Sequence, residues 1–116
     1  MKRDMDLVRE ILLAMEEDKK EITGDYSSEL IVEHQLLMWK AGLIEGIDVS
    51  SKDGPGFITQ RITWLGYDYL ESVREKSAWE KIKETMKKHG LPETINIVKD
   101  IAGTIISKKL DKLIKD

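Results

Sequence analysis

Apolar residues recur at intervals of three and four in three long stretches of the chain and alternate with polar residues in two shorter ones. The helical spacing predicts helices over residues 4–18, 29–40 and 93–114. The alternation predicts strands over residues 43–50 and 57–63. The pattern therefore indicates a mainly helical chain with a small β-sheet.

The second predicted strand runs directly into a helix. Four side chains of this strand share a face by alternation: Phe57, Thr59, Arg61 and Thr63. The Thr63 hydroxyl is placed to cap a helix that begins at Trp64. Gly66 falls in the first turn, where the lack of a Cβ lets this helix approach the sheet closely. The apolar residues that we expect to cover the hairpin are Leu65, Tyr69, Leu70 and Val73.

Capping and turn residues set the boundaries in the first half of the chain. Ser27 is placed to cap the second helix, and Gly42 to end it. The turn-forming sequence SKDGPG, residues 51–56, predicts a flexible tip that joins the two strands into a hairpin. Residues 20–23 are a further candidate strand.

Similar signals divide the second half into helices. The sequence Ser77-Ala-Trp-Glu80 matches a capping box, so residues 64–88 read as two helices with a bend near Lys76. Gly90 ends that segment, and Pro92 suits the first turn of the last helix.

The order of these elements is the outline of a winged helix. The predicted fold is mainly α with a small β-hairpin, that is, an α+β winged-helix-like domain with extra C-terminal helices. We expect the core in residues 1–76 and a helical extension over residues 77–116 that packs on the same domain. The positioning helix of an ordinary helix-turn-helix is missing here, or reduced to one turn over residues 26–30.

Length and composition narrow the class of protein. The 116 residues suffice for a single core, and no cysteine is present, which excludes disulfides, thiolate catalysis and cysteine-ligated zinc. The formal net charge is −3, whereas proteins that wrap nucleic acid usually carry a basic surplus. The charged N-terminus lacks the apolar core of a signal peptide, and no later run has the length of a membrane span. We therefore expect a cytoplasmic protein without membrane contact.

Three stretches together resemble a known family. They are MKRDMDLVREILLAME, YSSELIVEHQLLMWKAGLIEG and RITWLGYDYLESVREKSAWEKIK, in this order. The chain is similar over roughly residues 1–100 to an uncharacterised bacterial and prophage family, the domain-of-unknown-function family 2513. The resemblance implies a winged-helix-like fold and a bacterial or mobile-element setting. It implies no activity, because the family has no established catalytic residues.

The second helix is the place to test DNA binding. At 100° per residue, one face holds the residues expected on the core side, Leu30, Ile31, Leu37, Met38 and Ala41, and His34 falls within the same arc. A second apolar stripe lies nearly opposite: Val32, Leu36 and Trp39. A DNA reader would carry Arg, Lys, Asn or Gln there. Either the C-terminal helices cover this stripe, or it is an exposed patch that binds a protein partner or a second copy of the chain.

Basic and amide residues outside that stripe are the candidate nucleic-acid contacts. They are Lys2, Arg3, Gln35, Lys40, Lys52 and Arg61. Glu33, Asp48 and Asp53 lie among them and would repel phosphate. DNA binding is therefore the alternative interpretation and not the first one.

The last predicted helix combines an apolar stripe with lysines. The stripe contains Ile101, Ile105, Leu110 and Leu113, and the flanking lysines are Lys108, Lys109, Lys112 and Lys115. Such lysines commonly offset the helix dipole and solubilise a packed stripe, while an anionic membrane surface or an acidic partner is the alternative. The apolar arc is wider than one neighbouring helix needs. We expect packing on the same domain and consider a homodimer a candidate assembly, with Ile101 and Ile105 as protein-interaction candidates.

No constellation of residues indicates catalysis. His34 and His89 have no partner at a spacing that suits a metal or a nucleophile, and the run Glu16, Glu17 and Asp18 reads as solvated. We predict a non-enzymatic protein-interaction or regulatory module that uses no cofactor, metal or small-molecule substrate. The sequence does not name its protein partner, and a DNA-binding transcriptional regulator is the alternative function.

Overall fold

The structure, a computed structural model, describes residues 2–19, 21–22 and 24–115. In chain order its elements are α1 (Met5–Glu16), α2 (Ser28–Lys40), β1 (Ile44–Asp48), β2 (Phe57–Ile62), α3 (Trp64–Val73), α4 (Lys76–His89) and α5 (Ile95–Lys115). This is the predicted α+β class, helices with one antiparallel hairpin. Of the candidate strand over residues 20–23, Glu21 and Ile22 are not in a strand, and Lys20 and Thr23 lie outside the described residues.

Side-chain caps begin four of the described helices, α1, α2, α3 and α5. The Asp4 carboxylate accepts hydrogen bonds from the N–H groups of Asp6 and Leu7 at the start of α1, at 2.9 and 3.3 Å. Ser27 caps α2 as predicted, its Oγ accepting from the Leu30 N–H at 3.1 Å. Each cap satisfies N–H groups that have no partner within the helix.

The boundaries of α4 and α5 differ from the predicted ones. The chain does break into two helices near Lys76, but α4 begins at that residue after Glu75, so the predicted capping box at Ser77 is wrong. Gly90 ends α4 in the left-handed region, with φ of 61°, as predicted. The last helix is capped by the Thr94 hydroxyl, which accepts from the Ile97 N–H at 3.2 Å, so Pro92 lies before the helix and not in its first turn.

The hairpin contains a β-bulge that the alternation did not predict. Glu45 lies opposite Arg61, but Gly46 lies opposite Thr59, so β2 has one extra residue between these pairs. The extra residue moves Arg61 off the face that it was predicted to share with Thr59. Ile62 takes the inward position instead and is buried opposite Ile44.

The junction between β2 and α3 is built as the sequence predicts. The Thr63 hydroxyl donates to the Gly42 carbonyl and accepts from the Gly66 N–H at 3.0 Å. A Cβ on Gly66 would lie 2.0 Å from the Leu43 carbonyl oxygen and 2.7 Å from Cγ2 of Ile62. Only glycine therefore lets α3 start this close to the hairpin.

The chain divides into two compact units, residues 1–70 (unit 1) and 71–116 (unit 2). In unit 1, α1 packs against α2 and β2, and α2 packs against both strands. The core residues contributed by α1 are Met5, Leu7, Val8, Ile11, Leu12 and Ala14. In unit 2, α4 packs against α5, with Trp79, Ile82 and Met86 buried on α4. The predicted packing of the C-terminal helices on a single domain stays a prediction.

Three residues predicted to be inward are exposed. Leu65 does not cover the hairpin, although Tyr69, Leu70 and Val73 are fully buried as expected. On α2, Leu37 and Ala41 are exposed, and the buried side consists of His34 and Met38. The buried face of α2 is therefore narrower than the apolar face predicted from the sequence, because Leu37 is exposed to solvent although its neighbour Met38 is buried in the core.

Candidate interaction surfaces

The buried histidine of α2 has a structural role. His34 is fully buried, its Nε2 accepts from the Asp4 N–H at 2.8 Å, and its Nδ1 lies 2.9 Å from the Leu30 carbonyl. Nδ1 therefore carries the proton, and the neutral ring ties the start of α1 to α2. Among the described residues no group of three or more His, Cys, Asp or Glu side chains is arranged to hold a metal ion. The burial of His34 agrees with its predicted place in the core-side arc of the second helix.

The second apolar stripe of α2 is partly covered by its own unit. The Trp39 ring lies 5.7 Å from the Phe57 ring, centroid to centroid, and Phe57 in turn lies over Gly46, where a Cβ would meet its ring at 2.5 Å. Trp39 remains 37% exposed, while Val32 and Leu36 are half-buried. The hairpin therefore supplies part of the cover that the sequence assigned to the C-terminal helices, whose predicted contact with this stripe stays a prediction.

The outer face of the hairpin is apolar and exposed. Ile47 and Ile58 are cross-strand partners, 49% and 53% exposed, and Val49, directly after the end of β1, is similarly exposed. We call these three residues the hairpin patch. They were not among the predicted interaction residues because isoleucine and valine in or beside a strand are usually buried in the core. The available signal was the alternation itself, which places Ile58 on the face opposite Phe57.

The start of α3 exposes aromatic residues. Trp64 is 86% exposed, and Tyr67 lies one turn later and is also exposed. The three tryptophans of the sequence were expected to supply large pieces of the core; this is correct for the buried Trp79 and wrong for Trp64. A tryptophan this exposed is unusual for a large apolar side chain and marks a second accessible apolar position in unit 1.

One of the predicted nucleic-acid contacts is engaged in an ion pair. Lys2, Arg3, Lys40 and Lys52 are exposed, and Gln35 is half-buried. The Arg61 guanidinium, however, forms an ion pair with Glu45 at 2.5 Å. That pair leaves Arg61 less available to a phosphate.

Acidic groups lie close to the remaining basic candidates on the hairpin side of unit 1. Hydrogen bonds from the Ser50 side chain and from its N–H, at 2.9 Å, hold the pKa of the Asp48 carboxyl below its usual value, and the charge of Lys40 adds to this effect. The Asp48 carboxylate is thus held in its charged form near Lys40 and offsets its positive charge.

Charge is distributed unevenly between the two units. Unit 1 contains 14 acidic and 8 basic residues, whereas unit 2 contains 8 acidic and 11 basic residues. The negative net charge of the chain therefore comes from unit 1. Unit 2 is the half of the chain that attracts anionic groups.

A groove of about 560 Å³ runs between α4 and α5 and gathers several of these basic residues. Its apolar lining residues, which we call its floor, are Ile101 and Ile105, both predicted interaction residues. Its remaining walls are Thr85 and Thr104 and four lysines: Lys81, Lys108, Lys109 and Lys112. We call this surface the α4–α5 groove. None of the four lysines forms an ion pair within the part of the chain that the structure describes.

Comparison with known proteins identifies the family. The profile described as "Hypothetical protein (DUF2513)" matches residues 2–92. The chain belongs to the DUF2513 family. A relative from Haemophilus influenzae (strain ATCC 51907 / DSM 11121 / KW20 / Rd), titled "Uncharacterized protein", is 36% identical over 118 residues, covering 95% of this chain and 99% of the relative. No solved structure matches the chain.

The match places most of the described fold inside the DUF2513 region. It covers α1 to α4, while α5 lies beyond it and is reached by the alignment with the Haemophilus relative. The resemblance stated from sequence is thus confirmed at the level of the family. None of the helices in the described residues is both long and apolar enough to span a bilayer.

Proposed function

We propose that this DUF2513 chain is a non-enzymatic regulatory module, winged-helix-like in unit 1, that binds a protein partner through the hairpin patch. The observation that supports the proposal is the exposed Ile47–Ile58 pair with Val49 beside it. A hairpin that contacts phosphates needs unpaired cations on this surface. Here the neighbouring cation, Arg61, is paired with Glu45, and the surface itself is apolar.

The size of the patch is sufficient to matter for affinity. Complete burial of one isoleucine contributes about 1.5 to 3 kcal/mol, so covering the exposed halves of three such side chains contributes about 3 kcal/mol. That corresponds to a factor of about 100 in the dissociation constant. The patch would act as an anchor within a larger interface and would not account for tight binding alone.

A charge placed in the patch tests the proposal. Ile58→Lys puts an ammonium group at the centre of the apolar surface, and Gln60→Lys puts the same group at an exposed position of the same strand. Tagged chains expressed in the native host are purified, and co-purifying proteins are quantified by mass spectrometry. We expect a partner that is retained by the wild type and by Gln60→Lys and reduced at least tenfold by Ile58→Lys. Equal recovery with all three chains would refute a role for the patch.

The DNA-binding alternative is tested by fluorescence anisotropy with random-sequence duplex DNA. Lys2, Lys40 and Lys52 are exposed and support this alternative. Micromolar binding that weakens steeply between about 50 and 200 mM salt would indicate several phosphate contacts and favour the regulator. Absence of binding at low salt is expected if the chain acts through a protein partner.

A further inference from the structure

We propose that the α4–α5 groove binds an acidic amphipathic helix of a partner protein. The groove lies in unit 2 and shares no residue with the hairpin patch. The inference therefore goes beyond the proposed function and does not depend on it.

The charges of the groove call for an anionic occupant. The α5 lysines Lys108 and Lys112 are one turn apart, and Lys81 lies on the opposite wall, on α4. The neighbouring carboxylate of Glu80 is 3.5 Å from Lys83 and does not pair with Lys81. Positive charge on both walls with no internal counter-ion favours a partner that brings carboxylates to both sides.

The floor of the groove is apolar. Ile101 and Ile105 follow each other at one helical turn. The Thr85 and Thr104 hydroxyls donate to carbonyl groups of their own helices, those of Lys81 at 2.8 Å and of Asp100 at 3.1 Å. Both hydroxyl hydrogens are therefore already used, and neither threonine requires a hydrogen-bond acceptor from an occupant of the groove. Lys108 and Lys112 continue the stripe of Ile101 and Ile105 along α5, so an occupant must present apolar side chains to the isoleucines and acidic ones to the lysines.

The spacing of the groove matches a helix. Its α5 side extends from Ile101 to Lys112, about 17 Å or three helical turns at 1.5 Å per residue. Apolar and basic positions repeat along this side with the helical period. An amphipathic helix repeats its own side chains with the same period, so it can place apolar residues against the isoleucines and carboxylates against the lysines along the groove.

Other occupants fit these features less well. Duplex DNA would use the lysines but not the isoleucine floor, and the groove offers no arginine, amide or aromatic side chain to read or stack on a base. A lipid bilayer is flat, whereas this surface is concave. A second α5 would bring lysines against lysines.

The test uses the full chain and a designed probe peptide. The probe is a sixteen-residue helix with leucines at intervals of three and four and glutamates flanking them, and one control peptide carries lysine in place of every glutamate. Binding is measured by anisotropy of a labelled peptide and by amide chemical shifts of the protein. We expect the acidic probe to bind and to shift the amides of Ile101, Thr104 and Ile105, and we expect the basic control not to bind.

Charge reversal supplies the matched variants. Lys108→Glu with Lys112→Glu reverses two groove lysines, and Lys76→Glu with Lys88→Glu makes the same change of charge at exposed α4 positions outside the groove. The groove variant should weaken the acidic probe about tenfold and bind the basic peptide instead, since each exposed pair contributes a small amount and both attraction and repulsion change. The control variant should change binding less than twofold. Circular dichroism checks that both variants keep their helix content.

Several results would overturn the inference. One is equal binding of the acidic and basic peptides, and another is a set of shifts that lies outside the groove. Loss of binding to duplex DNA or to phosphatidylglycerol vesicles in the groove variant, with no binding of the acidic probe, would assign the groove to that anion instead. A mass by light scattering that halves in the groove variant would assign it to a second copy. The Ile58→Lys chain should bind the probe normally, so failure of the hairpin patch and failure of the groove are separable.

Discussion

Replacement of Gly66 by alanine tests the junction that joins the hairpin to α3. The new Cβ would lie 2.0 Å from the Leu43 carbonyl oxygen, and since contacts below 3.0 Å essentially do not occur, α3 or β1 must move by at least about 1 Å. The clashing atom belongs to the backbone, so no side-chain rotation relieves it. Gly66→Ala therefore displaces the start of α3 from the sheet.

The expected loss of stability follows from three contributions. Overpacking costs about 1 to 3 kcal/mol. The displacement also weakens two hydrogen bonds, from the Gly66 N–H to Thr63 and from the Thr63 N–H to Leu43, both 3.0 Å, each contributing about 1 kcal/mol. Alanine favours the helical conformation by about 1 kcal/mol relative to glycine, which offsets part of this loss. When the propensity gain is subtracted from the two losses, the free energy of unfolding of unit 1 should fall by about 2 to 4 kcal/mol.

Gly103→Ala is the matched control. Gly103 is exposed within α5, and a Cβ there would meet no atom within 4 Å. The same chemical change should stabilise this helix by about 0.5 to 1 kcal/mol. Urea unfolding followed by circular dichroism and by residue-resolved amide signals compares the two. A Gly66→Ala chain as stable as the wild type would refute the close approach of α3 to β1.

Three further predictions concern buried and hydrogen-bonded side chains. His34→Leu should destabilise unit 1 by about 1 to 3 kcal/mol because the Asp4 N–H loses its acceptor, and long-range nitrogen NMR of the wild type should find the proton on Nδ1. The Tyr69 hydroxyl is buried without a hydrogen-bond partner among the described residues, and burial raises its pKa, so Tyr69→Phe should stabilise the fold by about 1 kcal/mol. Because the Tyr69 hydroxyl ionises more readily in the unfolded chain, stability falls as pH rises above its unfolded-state pKa, and Tyr69→Phe removes this loss. Alkaline unfolding should therefore move to higher pH in the variant; an unchanged alkaline limb would contradict this. The hydrogen bonds that lower the Asp48 pKa stabilise the folded hairpin above the unfolded-state pKa, and this stabilisation is lost as pH falls through the folded-state pKa. Asp48→Asn and Ser50→Ala should therefore each reduce the dependence of hairpin amide exchange on acid pH.

Local sequence determined the features that depend on neighbouring residues. The cap at Ser27, the left-handed end of α4 at Gly90 and the junction from Thr63 to Gly66 all follow from groups a few residues apart. In each case a side chain or a glycine satisfies a backbone requirement of its own segment. The order and class of the elements could therefore be predicted from the sequence, and the family followed from the same stretches.

Contacts between distant segments decided the rest. The bulge opposite Glu45 redirects Arg61 and buries Ile62, because strand register is set by the partner strand and not by alternation within one strand. The α4–α5 groove exists only because two helices lie side by side, which brings Lys81 near lysines 27 or more positions away. Local patterns predicted the order and type of the helices and strands, apart from the candidate strand over residues 20–23 and the exact starts of α4 and α5. Tertiary structure alone decided which of their faces stay exposed, because exposure depends on the neighbour that covers a face.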